Sequence, residues 1–351
     1  MNSPRVEVLM KDPHFQEASR WKQIAASIVC VGLISCVLSA SAAAQGTSAS
    51  FAVLSSSDVT LKNRVNISTA AVSPSSCPGS PGCAGKIGGT TILMGRGNGS
   101  APDTVAGDVI ASTSSSQGLN CSNNPPGTTS ICLGNDSEIA GACVTGGGAV
   151  SSPSECAGGT DTTGSNAEVV SLLPHALSDA VSFSSTLAGL TATQNIPAVV
   201  LGTHGSQTFS SSGGLNVVNV PSITTGTKAT ITLNGSASDT FVFNIGTSAD
   251  PGALQLGNGA SILLSGGITP DRVIFNLIGS GTTAQLGNNI VFNGTILAPQ
   301  GQFSSGDGNT PNPVLINGAL WFGGSVAIGN NTNLNFYPFA GVGSSGGTTG
   351  S

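Results

Sequence analysis

From residue 199 onward the chain alternates short apolar runs with small polar turns. The runs fall at residues 199–201, 215–220, 229–233, 240–245, 262–264, 273–278, 290–292, 295–297, 314–316 and 319–322. Their length and β-branched content predict strands. Asn-Gly steps at Asn234, Asn293 and Asn317 favour tight turns with positive φ. The pattern also repeats. Leu256-Gly257-Asn258-Gly259 returns as Leu286-Gly287-Asn288-Asn289 and as Ile328-Gly329-Asn330-Asn331. These turns lie 30 residues apart (256 to 286) and then 42 (286 to 328), the additional 12 matching a polar insert around residues 302–313. Strands closed by a recurring turn predict stacked coils, a mainly β solenoid, with Leu256, Leu286 and Ile328 in corresponding inward positions.

Earlier in the chain, residues 51–54, 59–61 and 65–67 read as the strands of a first coil. Residues 72–165 change character, being rich in Gly, Ser, Pro and Cys with short apolar runs. They are expected to form a loop-built insertion with a few strands near 91–93 and 105–110. Residues 167–190 predict the one long helix. Ser165-x-x-Glu168 is a capping-box pattern. Leu173, Leu177, Ala180, Ser184 and Leu187 follow helical spacing, and Pro174 should kink or restart the helix. Such a helix would flank the solenoid with its stripe inward. The expected organisation is a leader (1–44), first strands (45–71), Cys-rich insertion (72–165), flanking helix (166–190), solenoid (191–340) and flexible tail (341–351).

Composition sharpens this picture. Only 7% of residues are charged, against about 25% in an ordinary globular protein. With 38% hydrophobic residues the chain can nonetheless bury a core. Ten Lys and Arg residues are too few for a nucleic-acid footprint. Four of them, Arg5, Lys11, Arg20 and Lys22, precede an apolar stretch at 24–38 and the small residues Ala42-Ala43-Ala44, the pattern of a cleaved export signal. Leu33-Ile34-Ser35-Cys36 offers a lipidated cysteine as the alternative. No later segment is apolar enough to span a membrane. Cys77, Cys83, Cys121, Cys132, Cys143 and Cys156 form an even set in an exported chain, hence disulfide candidates, with pairing between neighbours the simplest arrangement. The stretch has no Cys-x-x-Cys and no His, so zinc is disfavoured.

Two families share particular strings. Ile268-Thr-Pro-Asp-Arg-Val-Ile-Phe-Asn276, Asn293-Gly-Thr-Ile-Leu-Ala-Pro299, Ile316-Asn-Gly-Ala-Leu320 and Asn335-Phe-Tyr-Pro-Phe339 resemble the C-terminal half of choice-of-anchor A domains, which are extracellular bacterial modules. Phe51-Ala-Val-Leu54, the helix, and Phe241-Val-Phe-Asn-Ile-Gly246 resemble the bacterial ice-binding β-solenoid family. The likeness covers residues 51–67 and about 167–340. The resemblance implies a right-handed β-solenoid (β-helix) with one long helix alongside and no established catalytic site.

Candidate chemistry is sparse. Asp239, Asp250, Asp271 and Asp307, with Lys228 and Arg272, are scattered along the solenoid half and form no acid/base set of the kind a polysaccharide-cleaving β-helix needs. Asp307-Gly308-Asn309 is a fragment of a calcium loop, read as a polar turn. His175 and His204 make neither a metal site nor a triad. Catalytic, cofactor and metal residues are therefore expected to be absent. The principal expectation is a secreted, non-catalytic adhesion or structural module of the cell surface or matrix. An ice-binding protein is the alternative and a carbohydrate-active enzyme the third. Thr191-x-Thr193 and Thr230-x-Thr232 occur, but Thr does not recur at the coil spacing, which weighs against ice. The partner would be an extracellular surface, a matrix polymer or ice.

Overall fold

The computed structural model describes residues 50–69, 86–89, 91–95, 103–112, 129–134 and 137–340. The expected leader and tail, and Cys77, Cys83 and Cys121, lie outside them. The described strands form three parallel sheets of 11, 10 and 9 strands, here sheets I, II and III. Each coil visits I, II and III in turn. The fold is the β-solenoid expected from the sequence.

The coils do not stack in chain order. The first coil, Phe51–Ser55, Val59–Leu61 and Val65–Thr69, lies in the middle of the stack. Later coils carry the chain outward to Thr160–Asp161 at one end. A helix then returns it to the opposite end, where Gln194–Asn195, Val199–Leu201 and Ser206–Ser210 begin a second arm of six coils. That arm climbs back until its last coil, Leu320–Phe322, Val326–Ile328 and Thr332–Phe336, pairs with the first. The seam is in register in all three sheets: Val53 opposite Leu320, Leu61 opposite Ile328, Val65 opposite Thr332. Trp321, fully buried, donates its Nε1–H to Phe51 O at 2.8 Å across it.

Residues 72–165 therefore depart from the loop-built insertion expected of them. Lys86–Gly89, Ile92–Met94, Asp103–Val105, Val109–Ala111, Thr129–Cys132, Ser137–Ile139, Cys143–Thr145 and Ala149–Val150 are strands stacked on the first coil. The strands have two to four residues, too short for the alternation that signals a strand in sequence. Their inward side chains, such as Ile87, Ile92, Val109, Ile131 and Ile139, are nonetheless buried. Cys143 and Cys156 are bonded to each other, and Cys132 is also in a disulfide.

The helix comprises a π-turn, Glu168–Leu172, and α1, Leu173–Ala188. The wide turn sits where Pro174 has no N–H to continue the ladder, and the N–H of Leu173 reaches back to Glu168 O instead. The capping box does not form. Asn166 Oδ1 accepts the N–H of Glu168 at 2.8 Å, and the Glu168 side chain turns away to Lys86. Leu173, Ala176, Ala180, Phe183, Ser184 and Leu187 are buried against the outer face of sheet I. Leu173 lies beside Gly88, and the Leu187 carbonyl accepts Asn244 Nδ2 at 2.8 Å. Five strand spacings separate those points, ~24 Å at ~4.8 Å each. Fourteen helical residues cover ~21 Å, so α1 is as long as the coils it must cross. Sheet I is thus covered on both sides, which explains its unbroken apolar strands, Phe241-Val-Phe and Val273-Ile-Phe among them.

An asparagine ladder fastens the helix. Asn276 Nδ2 donates to Asn244 Oδ1 (2.9 Å) and to Ser184 O (3.0 Å), while Ser184 Oγ donates to Asn276 Oδ1 (2.6 Å). Inside the solenoid, Phe243 and Phe275 occupy paired positions and stack with centroids 5.0 Å apart.

The repeated Gly-Asn turn is the corner between sheets II and III. Asn258 Oδ1 accepts the N–H of Asn288, Asn288 Oδ1 that of Asp307, Asp307 Oδ1 that of Asn330, and Asn330 Oδ1 that of Asn63. The preceding glycines stack so closely that a Cβ on Gly329 would lie 2.0 Å from Gly306 O. The interval from 286 to 328 is not one coil with an insert. Gln302–Ser305 is a sheet II strand, and Gly306-Asp307 supplies the corner that sequence identity hid. Leu256 faces Leu286, which faces Ser305. One coil further, Ile328 continues that buried column and meets Leu61.

Two substitutions test these constraints. Asn276→Leu removes three buried hydrogen bonds and should cost about 2–4 kcal/mol, because Asn244 Oδ1 and the Ser184 hydroxyl lose the partner that satisfied them. Gly329→Ala should destabilise by a comparable amount through the carbonyl clash, about 2 kcal/mol or more. Denaturant midpoints measured against wild type decide both. An unchanged midpoint for either would contradict the ladder or the corner.

Candidate functional site

The three faces differ in what they leave for a ligand. Sheet I is closed by α1. On sheet III the outward Asn293, Asn317, Asn335 and Ser68 bond to one another: Asn317 Nδ2 to Asn293 Oδ1, Asn335 Nδ2 to Asn317 Oδ1, and Ser68 Oγ to Asn335 Oδ1, at 2.8, 2.8 and 2.9 Å. An exposed Glu138 ends that sheet.

Among the described residues no element packs over the outer face of sheet II, and its strands are uncharged. None of its ten described strands contains Asp, Glu, Lys or Arg. Its inward column, including Ile223, Leu254, Phe303, Val326, Val59 and Ile92, is buried. That burial turns the intervening residues outward. The central outward column reads Val200, Thr224, Gln255, Gln285, Ser304 and Ala327 in the C-terminal arm. It crosses the seam to Thr60 and continues to Leu93. A second column, Ser222, Ala253, Thr283 and Gln302, runs beside it. From Val199–Leu201 to Ile92–Met94 the register is unbroken by any bulge. The side chains of Thr60, Thr224, Gln255, Gln285 and Ser304 make no hydrogen bonds to the described protein. Val200 is 73% exposed and Leu93 41%. The result is a grid with ~4.8 Å between strands and ~6.8 Å between alternate residues. One period across the strands is less than two water–water hydrogen bonds of ~2.8 Å. A surface of methyl, hydroxyl and amide groups at that spacing can order water, and its described strands carry no carboxylate, amine, guanidinium or imidazole.

The residues singled out from sequence are dispersed. His175 lies on α1, and His204 occupies a turn with φ 61°. Asp271 is in a short 3-10 turn. Asp307 belongs to the corner ladder and pairs with exposed Lys62 at 3.3 Å, a contact of small energetic weight. Among the described residues no His/Cys/Asp/Glu group is placed to hold a metal ion. Thr230 and Thr232 face outward on sheet III, and Thr193 Oγ1 donates to Val217 O, so the two Thr-x-Thr strings do not meet on sheet II. No helix of the described residues is long and apolar enough to cross a membrane.

The sequence profile of the ice-binding-like family matches residues 80–333, and the chain belongs to that family. Similar solved structures include the ice-binding protein of the Antarctic ascomycete Antarctomyces psychrotrophicus, at 16% identity and TM-score 0.45, covering 83% of this chain and 96% of that one. A domain of an ice-binding protein of Shewanella frigidimarina has 16% identity and TM-score 0.45, covering 84% and 96%. An ice-binding protein from an Arctic yeast has 14% identity and TM-score 0.42, covering 83% and 93%. No curated protein sequence matches the chain significantly. The family match overturns the expectation of an adhesion or structural module. That expectation gave weight to the missing Thr repeat, whereas the regularity of a solenoid face comes from strand register and does not require one residue type. The choice-of-anchor A resemblance is not confirmed.

Backbone donors lower two aspartates of the solenoid half. The N–H groups of Ser236 and Gly214 hold the Asp239 carboxyl below its ordinary range. Asp307 is lowered by the N–H of Asn330, which outweighs its burial. A depressed folded-state value contributes stability above the ordinary aspartate value of about 3.9, lost as pH falls through the depressed one. Asp239→Asn should therefore lower Tm at neutral pH, and the difference from wild type should shrink below about pH 4. A difference that stays constant down to pH 2 would contradict this assignment.

Proposed function

We propose that this chain is an exported, non-catalytic ice-binding protein that adsorbs to ice through the outward face of sheet II. The observation that carries this reading is the family match over residues 80–333. The face assignment is supported by the unbroken register of sheet II and its lack of charge. Charged groups hold their own hydration shells strongly, and an uncharged grid lets the first water layer follow the protein's spacing. Each contact is weak, so adsorption depends on many positions acting together. Salt should affect it little, because charge screening has few charges to act on.

The direct assay is thermal hysteresis and ice-recrystallisation inhibition by the purified protein. Gln285→Tyr, at the centre of the sheet II column, should reduce activity several-fold by lifting the face off the ice. Leu315→Tyr, outward on sheet III, should leave it near wild type. Loss of activity in the Leu315 variant alone would move the site to sheet III. An inactive wild type would overturn the functional reading itself.

A further inference from the structure

Among the described residues, the one charged cluster shielded from solvent lies on sheet I, where the helix leaves the far coils. Lys86 Nζ donates to both Asp108 Oδ2 and Glu168 Oε1, and the three side chains are only 22–26% exposed. We propose that Lys86 and Asp108 become joined by a side-chain amide, with Glu168 carrying the protons, so that the coils beneath the helix are cross-linked covalently.

Register brings the partners together. Ile87 pairs with Val109, and its N–H bonds to Asp108 O at 2.9 Å, which sets Lys86 directly opposite Asp108 on adjacent coils. Asp108 Oδ1 accepts the N–H of Ala142 at 2.8 Å. That bond fixes the carboxyl and would stabilise the oxygen charge as nitrogen adds to Cγ. Glu168 touches the same nitrogen from the helix. Burial, with the Asp108 carboxylate adding to it, raises the proton affinity of Glu168 despite Lys86, which suits it to accept a proton from the ammonium.

The reaction balances without another reagent. An ammonium and a carboxylate give an amide and water. Glu168 takes one proton from Nζ, and the freed electron pair forms the Nζ–Cγ bond. The C–O bond then breaks as that proton and a second one from nitrogen leave with the oxygen as water. Intramolecular placement lowers the barrier, effective molarities of well-oriented groups reaching about 10⁵–10⁸ M, and burial, which opposes both charges, favours the neutral amide as product. Lys86 and Asp108 start as an ion pair. Burial opposes both charges, yet their mutual hydrogen bond keeps the lysine pKa raised and the aspartate pKa lowered. The first proton transfer is therefore uphill and the bond matures slowly after folding.

The test is a peptide map of the full chain, reduced and alkylated after overnight incubation. Lys86 should resist trypsin. A second protease should release a branched peptide joining Lys86 to Asp108, lighter than its two parts by one water. Asp108→Ala should restore cleavage, and Glu168→Gln should slow formation at least tenfold. Complete cleavage after Lys86 in wild type would overturn the proposal, with no dependence on how the variants fold. A branch to Glu168, or unchanged kinetics in Glu168→Gln, would overturn the assigned roles.

Discussion

The structure depends on one backbone ladder, that between the first coil and the last. The two arms are covalently continuous only through the helix, at the ends of the stack away from this joint. Their meeting is made by parallel hydrogen bonds in all three sheets and by Trp321 reaching Phe51 O. If the joint slipped by one residue, the inward and outward sets of each strand would exchange faces. The apolar columns would meet water and the sheet II grid would end at Ala327. The helix length, the glycine corner and the asparagine ladders all serve to hold this register. The helix spans the coils, the corner permits close approach, and each amide fixes the next coil at a set height.

This arrangement also explains why an irregular sequence gives a regular surface. The central outward column runs Val, Thr, Gln, Gln, Ser, Ala, Thr, Leu from Val200 to Leu93. No single residue type runs through it, yet the spacing is constant because the backbone sets it. What unites the positions is negative: small or flexible side chains, no charge, and no hydrogen bonds within the protein that would compete with water.

Much of the solenoid half could be read from sequence because most of its strands run to four residues or more and its corner residues recur. The Leu-Gly-Asn turns, the apolar stripe of the helix and the flanking position of that helix each follow from local chemistry. Three features could not be read that way. The coil at Gln302–Ser305 uses Asp307 at the corner, which performs the same hydrogen-bonding task as Asn without matching the string. The coils between Lys86 and Val150 have strands too short to show alternation. The face itself is a property of pairing between residues up to 267 positions apart, as Thr60 and Ala327 are, and composition carries no trace of that. The strings shared with two families pointed to the fold, and the missing Thr repeat drew the functional weight away from ice.

The central claim is that sheet II is the surface that meets ice. Thr224→Cys and Asn333→Cys chains, each carrying the same bulky maleimide tag, differ only in which face is obstructed. The fraction of each incorporated into slowly growing ice is the decisive measurement. The account predicts that the Asn333-tagged protein enters the ice as the untagged chain does, while the Thr224-tagged protein stays in the liquid. Equal incorporation of both, or exclusion of the Asn333-tagged protein alone, would contradict it.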